Sequence, residues 1–423
     1  MTTFHYRATE CLLLSKYLRP TTYTIEALLV NIQQEFVRSI DLDDSLWIMA
    51  ATIIRLAMKM GYHRDPAPYS QISPFQAEMR RRVWSIILQL DVLVSCLFGL
   101  PRMVVENQHD TLPPRNLLDD DFAENSGELR PSRSDAEYTP ISFTIAKGRI
   151  LRVFADIVSQ STSVQPHLHP EIMRLDNELN KAHASIPEHP QMRGPAHPIT
   201  VPPSIIVRRY LLELLYQKAR LILHRGHMIE SRQNPACKHS RSICVDAAMK
   251  SLGHQTAIHQ KTQQGGLLHR EKWFMWSLEQ NDFILAAMIV SLELSFGLED
   301  GESYQPPVDE LGRVLHDQRT MIQAIRGSHS VWTRSSTQSK VASQAAQLLS
   351  VILSKGVSLP ADEAPAPSYE GMEANTHQEL HLQNPDRVSP IPGKLSMNTF
   401  LTYPWLSRNA TAIGTHYVRT FDR

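Results

Sequence analysis

Apolar side chains recur at the three- and four-residue spacing of an α-helix along almost the whole chain, and this periodicity constrains the fold most. The alternation of a half-buried β-strand is absent. The clearest helix begins at Ser73, where Ser73 and Gln76 form a capping box and Pro74 takes the first helical position. Gly99 and Pro101 end it. We therefore predict an all-α, multi-helix fold.

The same signals predict nine further helices, one of which is closed by Gly61 as a C-cap. Their predicted bounds are Thr22–Arg38, Ser45–Met60, Pro140–Val158, Pro170–Ala184, Ser204–His224, Pro235–Gln263, Lys272–Phe296, Val308–Ile325 and Lys340–Leu353. The apolar stripe predicted for the Ser73 helix comprises Phe75, Met79, Val83, Ile86, Ile87, Leu90, Val94 and Leu97.

Two polar stretches interrupt the helical pattern. Residues 107–140 are acidic and polar, and residues 187–203 contain six prolines, which exclude a regular helix. Because the helices on both sides have apolar faces that need partners, we interpret both stretches as long surface loops. We predict an N-terminal lead-in helix without a zinc cluster over residues 1–44 and one helical regulatory domain over residues 45–354. A Pro-rich, mostly disordered tail is predicted over residues 355–423.

Charge, cysteine content and apolar run length argue against a nucleic-acid-binding, a disulfide-stabilised and a membrane-spanning protein. Lys+Arg and Asp+Glu both number 43, so the net charge is zero, which argues against a large phosphate-contacting surface. Four cysteines in so long a chain do not suggest a disulfide framework, and a reducing compartment fits best. The longest uncharged apolar run, Phe283–Val290, is shorter than the ~20 residues that span a bilayer. We therefore predict a soluble intracellular protein that does not bind membranes.

Motifs of enzyme active sites are missing from the sequence. It has no Gly-x-Ser-x-Gly elbow, phosphate-binding loop, dinucleotide-binding glycine pattern or HExxH. We therefore predict no catalytic residue, no cofactor and no enzyme activity.

One cluster contains residue types that bind zinc: His224, His227, Cys237, His239 and Cys244. No pair of them has the C-x2-C spacing of a structural zinc finger. The pattern therefore favours surface histidines and half-buried cysteines over a bound metal, and we predict no metal ligand.

Three consecutive arginines, Arg80, Arg81 and Arg82, resemble a basic patch. Successive residues of a helix are about 100° apart, so these three fan around the helix and cannot grip one phosphate backbone. The spacing predicts that Glu78 pairs with Arg82 on an exposed face and that Arg80 lies over Trp84. We favour this structural interpretation over contact with nucleic acid.

Asp91 falls on the apolar stripe of the same helix, four residues after Ile87 and three before Val94. A buried carboxylate is costly without a partner, and Arg55 and Arg102 are the candidates. We predict a structural ion pair, with Arg55 as the favoured partner.

The segment that contains these residues closely resembles the core of the fungal-specific transcription factor domain. The resemblance rests on RLA-x3-GYHRDP at Arg55–Pro66, SPFQAEMRRRVW at Ser73–Trp84, Leu90–Asp91 and GLPR at Gly99–Arg102. The residues of these motifs that we interpret as structural are Arg55, Gly61, His63, Arg64, Arg81, Arg82, Trp84, Asp91, Gly99, Pro101 and Arg102.

Two later segments, Leu223–Leu252 and Phe283–Leu294, also resemble helices of that family. The resemblance implies an all-α regulatory domain in the nucleus that modulates transcription of metabolic genes, secondary-metabolite clusters among them. It implies as partners the transcription machinery or another DNA-binding regulator, a homo- or heterodimer, and a small-molecule effector.

The zinc-cluster module that precedes this domain in the family has no counterpart in the sequence, since no C-x2-C pattern and no basic recognition helix are found. Our hypothesis is a transcription regulator of fungal type whose DNA recognition is supplied by a partner or by an upstream module. The alternative is a ligand-sensing or scaffold protein derived from such a regulator that does not bind DNA.

Overall fold

The computed structural model describes residues 2–38, 44–165, 169–187, 201–272, 275, 280–301, 304–309, 311–337 and 339–356. Within these residues the chain forms eleven α-helices and no β-strand, so the all-α prediction is confirmed. The helices are α1 (Thr2–Leu14), α2 (Thr24–Arg38), α3 (Ser45–Lys59), α4 (Pro74–Phe98), α5 (Ser142–Ser161), α6 (His169–Ala184), α7 (Pro203–His224), α8 (Lys238–Thr262), α9 (Gln280–Asp300), α10 (Gln318–Ser335) and α11 (Lys340–Gly356).

Local sequence signals set the ends of α3 and α4. The Ser73 hydroxyl accepts a hydrogen bond from the amide of Gln76 (3.2 Å), and the Gln76 side chain accepts one from the amide of Ser73 (3.4 Å). Gly99 ends α4 at φ +63°, and Gly61 follows α3 at φ +78°, both in the left-handed region that favours glycine. The predicted caps at Ser73, Gly61 and Gly99 are confirmed.

The helices enclose two hydrophobic cores that share α4. The first core lies between α2, α3 and α4, where Ile25, Ile53 and Trp84 are almost completely buried. The second core is built by α5–α11 and receives Val92 from α4. Because α4 contacts both α3 and α5, it connects the two cores.

Helix α9 is the most apolar element of the second core. Its stretch Asn281–Asp300 is long and apolar enough to cross a membrane, but 72% of its most apolar part is buried inside the protein. Burial by α8 and α10 identifies α9 as a core helix.

Some predicted helix bounds are wrong. Helix α1 was not predicted, and its large apolar side chains Phe4 and Leu13 are exposed, so it lacks the core-facing stripe that would reveal it. The helix predicted from Val308 begins only at Gln318, where the Asp317 side chain accepts the amide of Thr320 (2.7 Å). The amide of Asp309 instead donates to the carbonyl oxygen of Arg313 (2.9 Å), and the amide of Gly312 donates to that of Asp309 (3.0 Å), as in a turn.

Two other expectations also need correction. Residues 235–237 are a 3-10 turn that precedes α8, rather than its first residues. Ile86 was predicted on the core stripe, yet 42% of it is exposed, because Val83 and Ile87 make the core contacts of that turn.

The predicted loop over residues 107–140 contains no α-helix, but it is anchored at its centre. Asn116 is buried, donates to the carbonyl oxygens of Ser134 (2.9 Å) and Glu137 (3.0 Å), and accepts from the Thr139 hydroxyl (2.6 Å). Residues 188–200 of the second predicted loop and 357–423 of the predicted disordered tail lie outside the described residues. The domain boundaries after residues 44 and 354 stay predictions.

Candidate functional site

The GYHRDP turn is fixed to α4 by a buried ion pair. Arg81 makes two hydrogen bonds to Asp65, from Nε to Oδ2 (2.9 Å) and from Nη2 to Oδ1 (2.8 Å). Asp65 also accepts the backbone amides of Leu112 and Ala67. Burial raises the pKa of Asp65, but Arg81 and the two amides outweigh it and hold that pKa at about 2. The carboxylate is therefore ionised at neutral pH and joins three segments of the chain.

The predicted pair between Glu78 and Arg82 is confirmed, with 3.2 Å between Glu78 Oε1 and Arg82 Nε. The prediction that Glu78 lies on an exposed face is wrong, because its side chain is completely buried. The loop after α4 covers it: the amide of Arg115 donates to Glu78 Oε1 (3.1 Å), and Arg82 donates to the carbonyl oxygen of Leu117 (3.2 Å).

Arg80 does not lie over Trp84 as predicted. Its guanidinium carbon is 5.0 Å from the centre of the Tyr62 ring, and Nη1 donates to the carbonyl oxygen of Met60 (3.3 Å). The reason is that the turn after α3 passes beside this face of α4. The predicted fan of three arginines is confirmed, since each of them binds a different part of the protein itself.

Asp91 is 2% exposed, as its place on the apolar stripe predicted, but its partner is not Arg55. Arg55 lies on the exposed side of α3. Asp91 instead accepts the backbone amides of Met103 (3.0 Å) and Val104 (3.1 Å), and Arg102 Nε lies 3.6 Å from its Oδ2. Burial raises the pKa of Asp91, and the amides and Arg102 lower it only in part. This carboxylate holds the GLPR turn against α4.

The remaining motif residues lie at the same junction. Arg64 is 3.6 Å from Asp110 in an exposed ion pair, and the ring centre of His63 is 6.3 Å from that of Trp84. The Ser95 hydroxyl reaches the carbonyl oxygen of Pro101 at 3.5 Å. The structure therefore brings together the GYHRDP turn, the middle of α4 and the GLPR turn.

Two of these motif residues line a cavity of about 490 Å³. It lies between α4, α5 and the chain segment 102–114. Trp84 and Arg102 are the only members of the predicted set among the residues that line it. Its lining residues are Trp84, Ser85, Leu88, Gln89, Val92, Arg102, Glu106, His109, Thr111, Leu112, Pro113, Pro114, Thr144, Ile145, Gly148, Arg149, Leu151, Arg152, Val153, Ala155, Ala182 and Ser185.

Three arginines line the cavity, and two of them have carboxylate partners. Arg102 lies beside Asp91, and Arg149 donates to Asp135 and to the carbonyl oxygen of Ser185. Arg152, on the next turn of α5, is exposed and makes no hydrogen bond or ion pair with any residue that the structure describes. The cavity therefore contains one cation whose charge is not balanced by a direct partner.

Four buried nitrogen atoms in the wall of the cavity have no hydrogen-bond partner within the described part of the chain. They are Trp84 Nε1, Arg102 Nε and both ring nitrogens of His109. Burial lowers the pKa of His109, so the ring is neutral at pH 7. Each buried polar group left without a partner costs about 1–3 kcal/mol, so this wall is less well satisfied than an ordinary core.

Sequence reasoning missed most of this cavity. Arg149 and Arg152 lie on α5, about fifty residues after Arg102, and nothing in the local pattern of α5 indicates a neighbouring cavity. No sequence pattern pointed to Gln89 either, yet its side-chain amide donates to the carbonyl oxygen of Thr144 (3.0 Å) and so links α4 to α5.

The histidines and cysteines that form one cluster in the sequence do not all lie together in the structure. His224 is completely buried, and its Nε2 is 3.2 Å from Asp176 Oδ1. Cys244 is buried in the second core, which raises the pKa of its thiol to about 12. His239 is exposed on α8. These three side chains therefore have separate surroundings.

The other two members do meet. His227 Nδ1 is 3.6 Å from Cys237 Sγ and 2.9 Å from Glu230 Oε2, and the three donor atoms lie within 4.8 Å of one another. Glu230 is held in place by Asn234, whose side-chain amide donates to its Oε1 (3.1 Å). Hydrogen bonds account for this arrangement, and the expectation of no metal ligand stays a prediction.

The later segments that resemble the family join α7, α8 and α9 through buried ion pairs. Arg220 is 3.0 Å from Asp246, and Arg241 Nε donates to Glu293 Oε2 (2.9 Å). Glu293 is completely buried in the middle of α9. Its acidic side chain in so apolar a helix was a signal that the sequence analysis did not use.

Comparison with known proteins agrees with the resemblance. The sequence model of the fungal specific transcription factor domain matches residues 5–184. The chain is 37% identical to the Zn(2)-C6 fungal-type transcription factor mpsB of Macrophomina phaseolina, over 98% of this chain and 54% of that protein. It is 40% identical to the Zn(2)-C6 fungal-type transcription factor pigI of Monascus ruber, over 82% of this chain and 42% of that protein.

A third relative is the equisetin cluster transcription factor eqxF of Fusarium heterosporum, which is 34% identical over 86% of this chain and 51% of that protein. No solved structure matches the chain. The chain spans about half the length of the curated relatives it matches. The matched residues include α2–α5, the motifs around Asp65 and Asp91, and the cavity between α4 and α5. Residues 5–184 are therefore similar in sequence to the fungal specific transcription factor domain.

Proposed function

We propose that this chain is a regulatory region that controls transcription of a secondary-metabolite gene cluster in the nucleus of a fungus. The observation that carries the proposal is its 37% identity, over 98% of its length, to a Zn(2)-C6 fungal-type transcription factor. Other relatives are named as transcription factors of the pyrrolocin, fusarisetin A and equisetin clusters. The family consists of transcription factors, and we propose no catalytic role.

DNA recognition in this proposal is the task of another polypeptide or of a zinc-cluster module joined to this region. The net charge of the chain is zero. Arg81 and Arg82, the strongest basic candidates, are bound to Asp65 and Glu78 inside the protein. A protein that neutralises phosphates needs free cationic side chains on one face.

Regulation acts, in our proposal, through the cavity between α4 and α5. Since α4 belongs to both cores, a molecule bound beside it changes the packing of both. A homodimer, a heterodimer or the transcription machinery then senses that change. Binding can shift the state of the protein only by as much as the two states differ in affinity for the ligand.

The experiment is deletion of the gene in its own fungus, with transcripts measured across the genome. We expect reduced transcription of one contiguous biosynthetic cluster, restored by the native gene and by the Arg55→Gln variant, which changes only an exposed side chain. Unchanged transcripts, or rescue by a chain held outside the nucleus, would favour the alternative of a ligand-sensing or scaffold protein without a role at promoters.

A further inference from the structure

We propose that the cavity between α4 and α5 binds a largely apolar small molecule that carries one carboxylate group, with Arg152 as the partner of that carboxylate. The inference rests on the proposed function, because it assigns a ligand class to the site through which we expect regulation to act. It is built from the size of the cavity, the state of its three arginines and the polar groups on its α4 side.

The size of the cavity suits an organic molecule rather than a single ion. Its volume of about 490 Å³ falls within the range of roughly 300–1,000 Å³ that is typical of small-molecule sites. Apolar side chains from both helices, among them Leu88, Val92 and Leu151, form much of the wall. The bound molecule therefore has an apolar body.

The surroundings of the three arginines indicate that the ligand carries a single negative charge. Asp91 already accompanies Arg102, and Asp135 accompanies Arg149, so a ligand that used either arginine would have to compete with a carboxylate of the protein. Arg152 has no such competitor among the described residues. Its planar guanidinium group can bind a carboxylate through two parallel hydrogen bonds.

The acidic residues around the cavity argue against a ligand with more charge. Glu106 lines the cavity, with 70% of its side chain exposed, and Asp156 lies one turn after Arg152 on α5. A phosphate group carries nearly two negative charges at neutral pH and would face both carboxylates with one free arginine. A monocarboxylate needs only Arg152, while Glu106 can turn toward solvent.

A second polar anchor lies across the cavity on α4. Ser85 is half-buried, and its hydroxyl makes no hydrogen bond with any part of the chain that the structure describes. A hydroxyl can donate or accept, so Ser85 can bind a hydroxyl or carbonyl group on the body of the ligand. Arg152 and Ser85 together orient the ligand between the two helices.

The test uses 1-pyrenebutyrate, a fluorescent apolar carboxylate, and its neutral analogue 1-pyrenebutanol, each titrated into the full chain. We expect the acid to bind at least about tenfold more tightly than the alcohol, since charge-assisted hydrogen bonds contribute a factor of that order. Arg152→Gln should abolish this preference. Ser85→Phe, which places a phenyl ring inside the cavity, should weaken binding of both probes.

The matched control is Arg55→Gln, which removes another exposed arginine, on α3, and should bind both probes like the native chain. Thermal melts of the variants establish that each one is folded. Equal affinities for acid and alcohol, or the same acid affinity in Arg152→Gln and Arg55→Gln, would overturn the proposal. So would binding of both probes by a folded Ser85→Phe variant with the affinities of the native chain.

The outcome separates this inference from the proposed function. Acid-selective binding that depends on Arg152 supports the ligand site even if deletion of the gene leaves all transcripts unchanged, a result that counts only against the proposed function. Loss of cluster transcripts on deletion, combined with no acid-selective binding, overturns the ligand site alone.

Discussion

Replacement of Asp91 by alanine tests whether the GLPR turn is held to α4 by one buried carboxylate. The side chain is 2% exposed and accepts two backbone amides, from Met103 and Val104, beside Arg102 at 3.6 Å. Its removal leaves two buried amides without acceptors and a nearly buried guanidinium group without its counter-charge. Loss of one partner from a buried ion pair costs about 3–5 kcal/mol.

The assay is thermal unfolding of the full chain by circular dichroism. Since 1 kcal/mol corresponds to about 2–4 °C in domains of 150–250 residues, Asp91→Ala should lower Tm by about 6 °C or more, or prevent folding. Asp91→Asn should lie between Asp91→Ala and the native chain. Its amide oxygen can still accept one backbone amide, but its NH₂ group would face the other donor.

The control for this series is again Arg55→Gln, because Arg55 is exposed and is not the partner of Asp91. Exposed substitutions of this kind usually change stability by no more than about 0.5 kcal/mol. If Asp91→Ala and Arg55→Gln had equal Tm values, the amides of Met103 and Val104 could not depend on this carboxylate, and our account of the turn would be refuted.

Three further predictions concern the buried carboxylates Glu78 and Asp65 and the binding of DNA. Glu78→Ala should destabilise the chain about as much as Asp91→Ala, because Glu78 is fully buried beside Arg82; a Tm like that of the native chain would show that the pair is dispensable. Asp65 has a pKa of about 2 in the folded chain, against an ordinary 3.8. Its ionised carboxylate therefore stabilises the fold fully above pH 4, and this stabilisation is lost as the pH falls toward 2. The free energy of unfolding measured with urea should therefore decrease less between pH 5 and pH 3 for Asp65→Asn than for the native chain. Equal decreases would contradict this role of Asp65. The purified chain should shift promoter DNA only weakly and without sequence preference in a gel assay at physiological salt, whereas nanomolar, sequence-selective binding would contradict the proposed need for a separate DNA-recognition module.

The local features of this fold could be predicted from sequence because their causes are local. The capping box at Ser73 and the glycines at 61 and 99 depend on hydrogen bonds within one turn, and the Glu78–Arg82 pair depends on a four-residue spacing. The motifs from Arg55 to Arg102 also predicted the resemblance to the family whose sequence model matches residues 5–184.

Tertiary structure decided which distant residues meet. Sequence predicted that Asp91 is buried and needs an arginine, but both Arg55 and Arg102 satisfied that condition. The choice was made by the chain reversal after Gly99, which returns the backbone to α4 and places two amides at the carboxylate.

The cavity shows most clearly that sequence does not predict which distant residues meet. Arg102 and Arg152 lie fifty residues apart, and they line one space only because α4 packs against α5. No periodicity or cap signals such a contact, since it depends on the angle and distance between two helices that many side chains set together. The sequence by itself determined most of the helices, their caps and the resemblance to the family, whereas the packing of α4 against α5 determined the cavity.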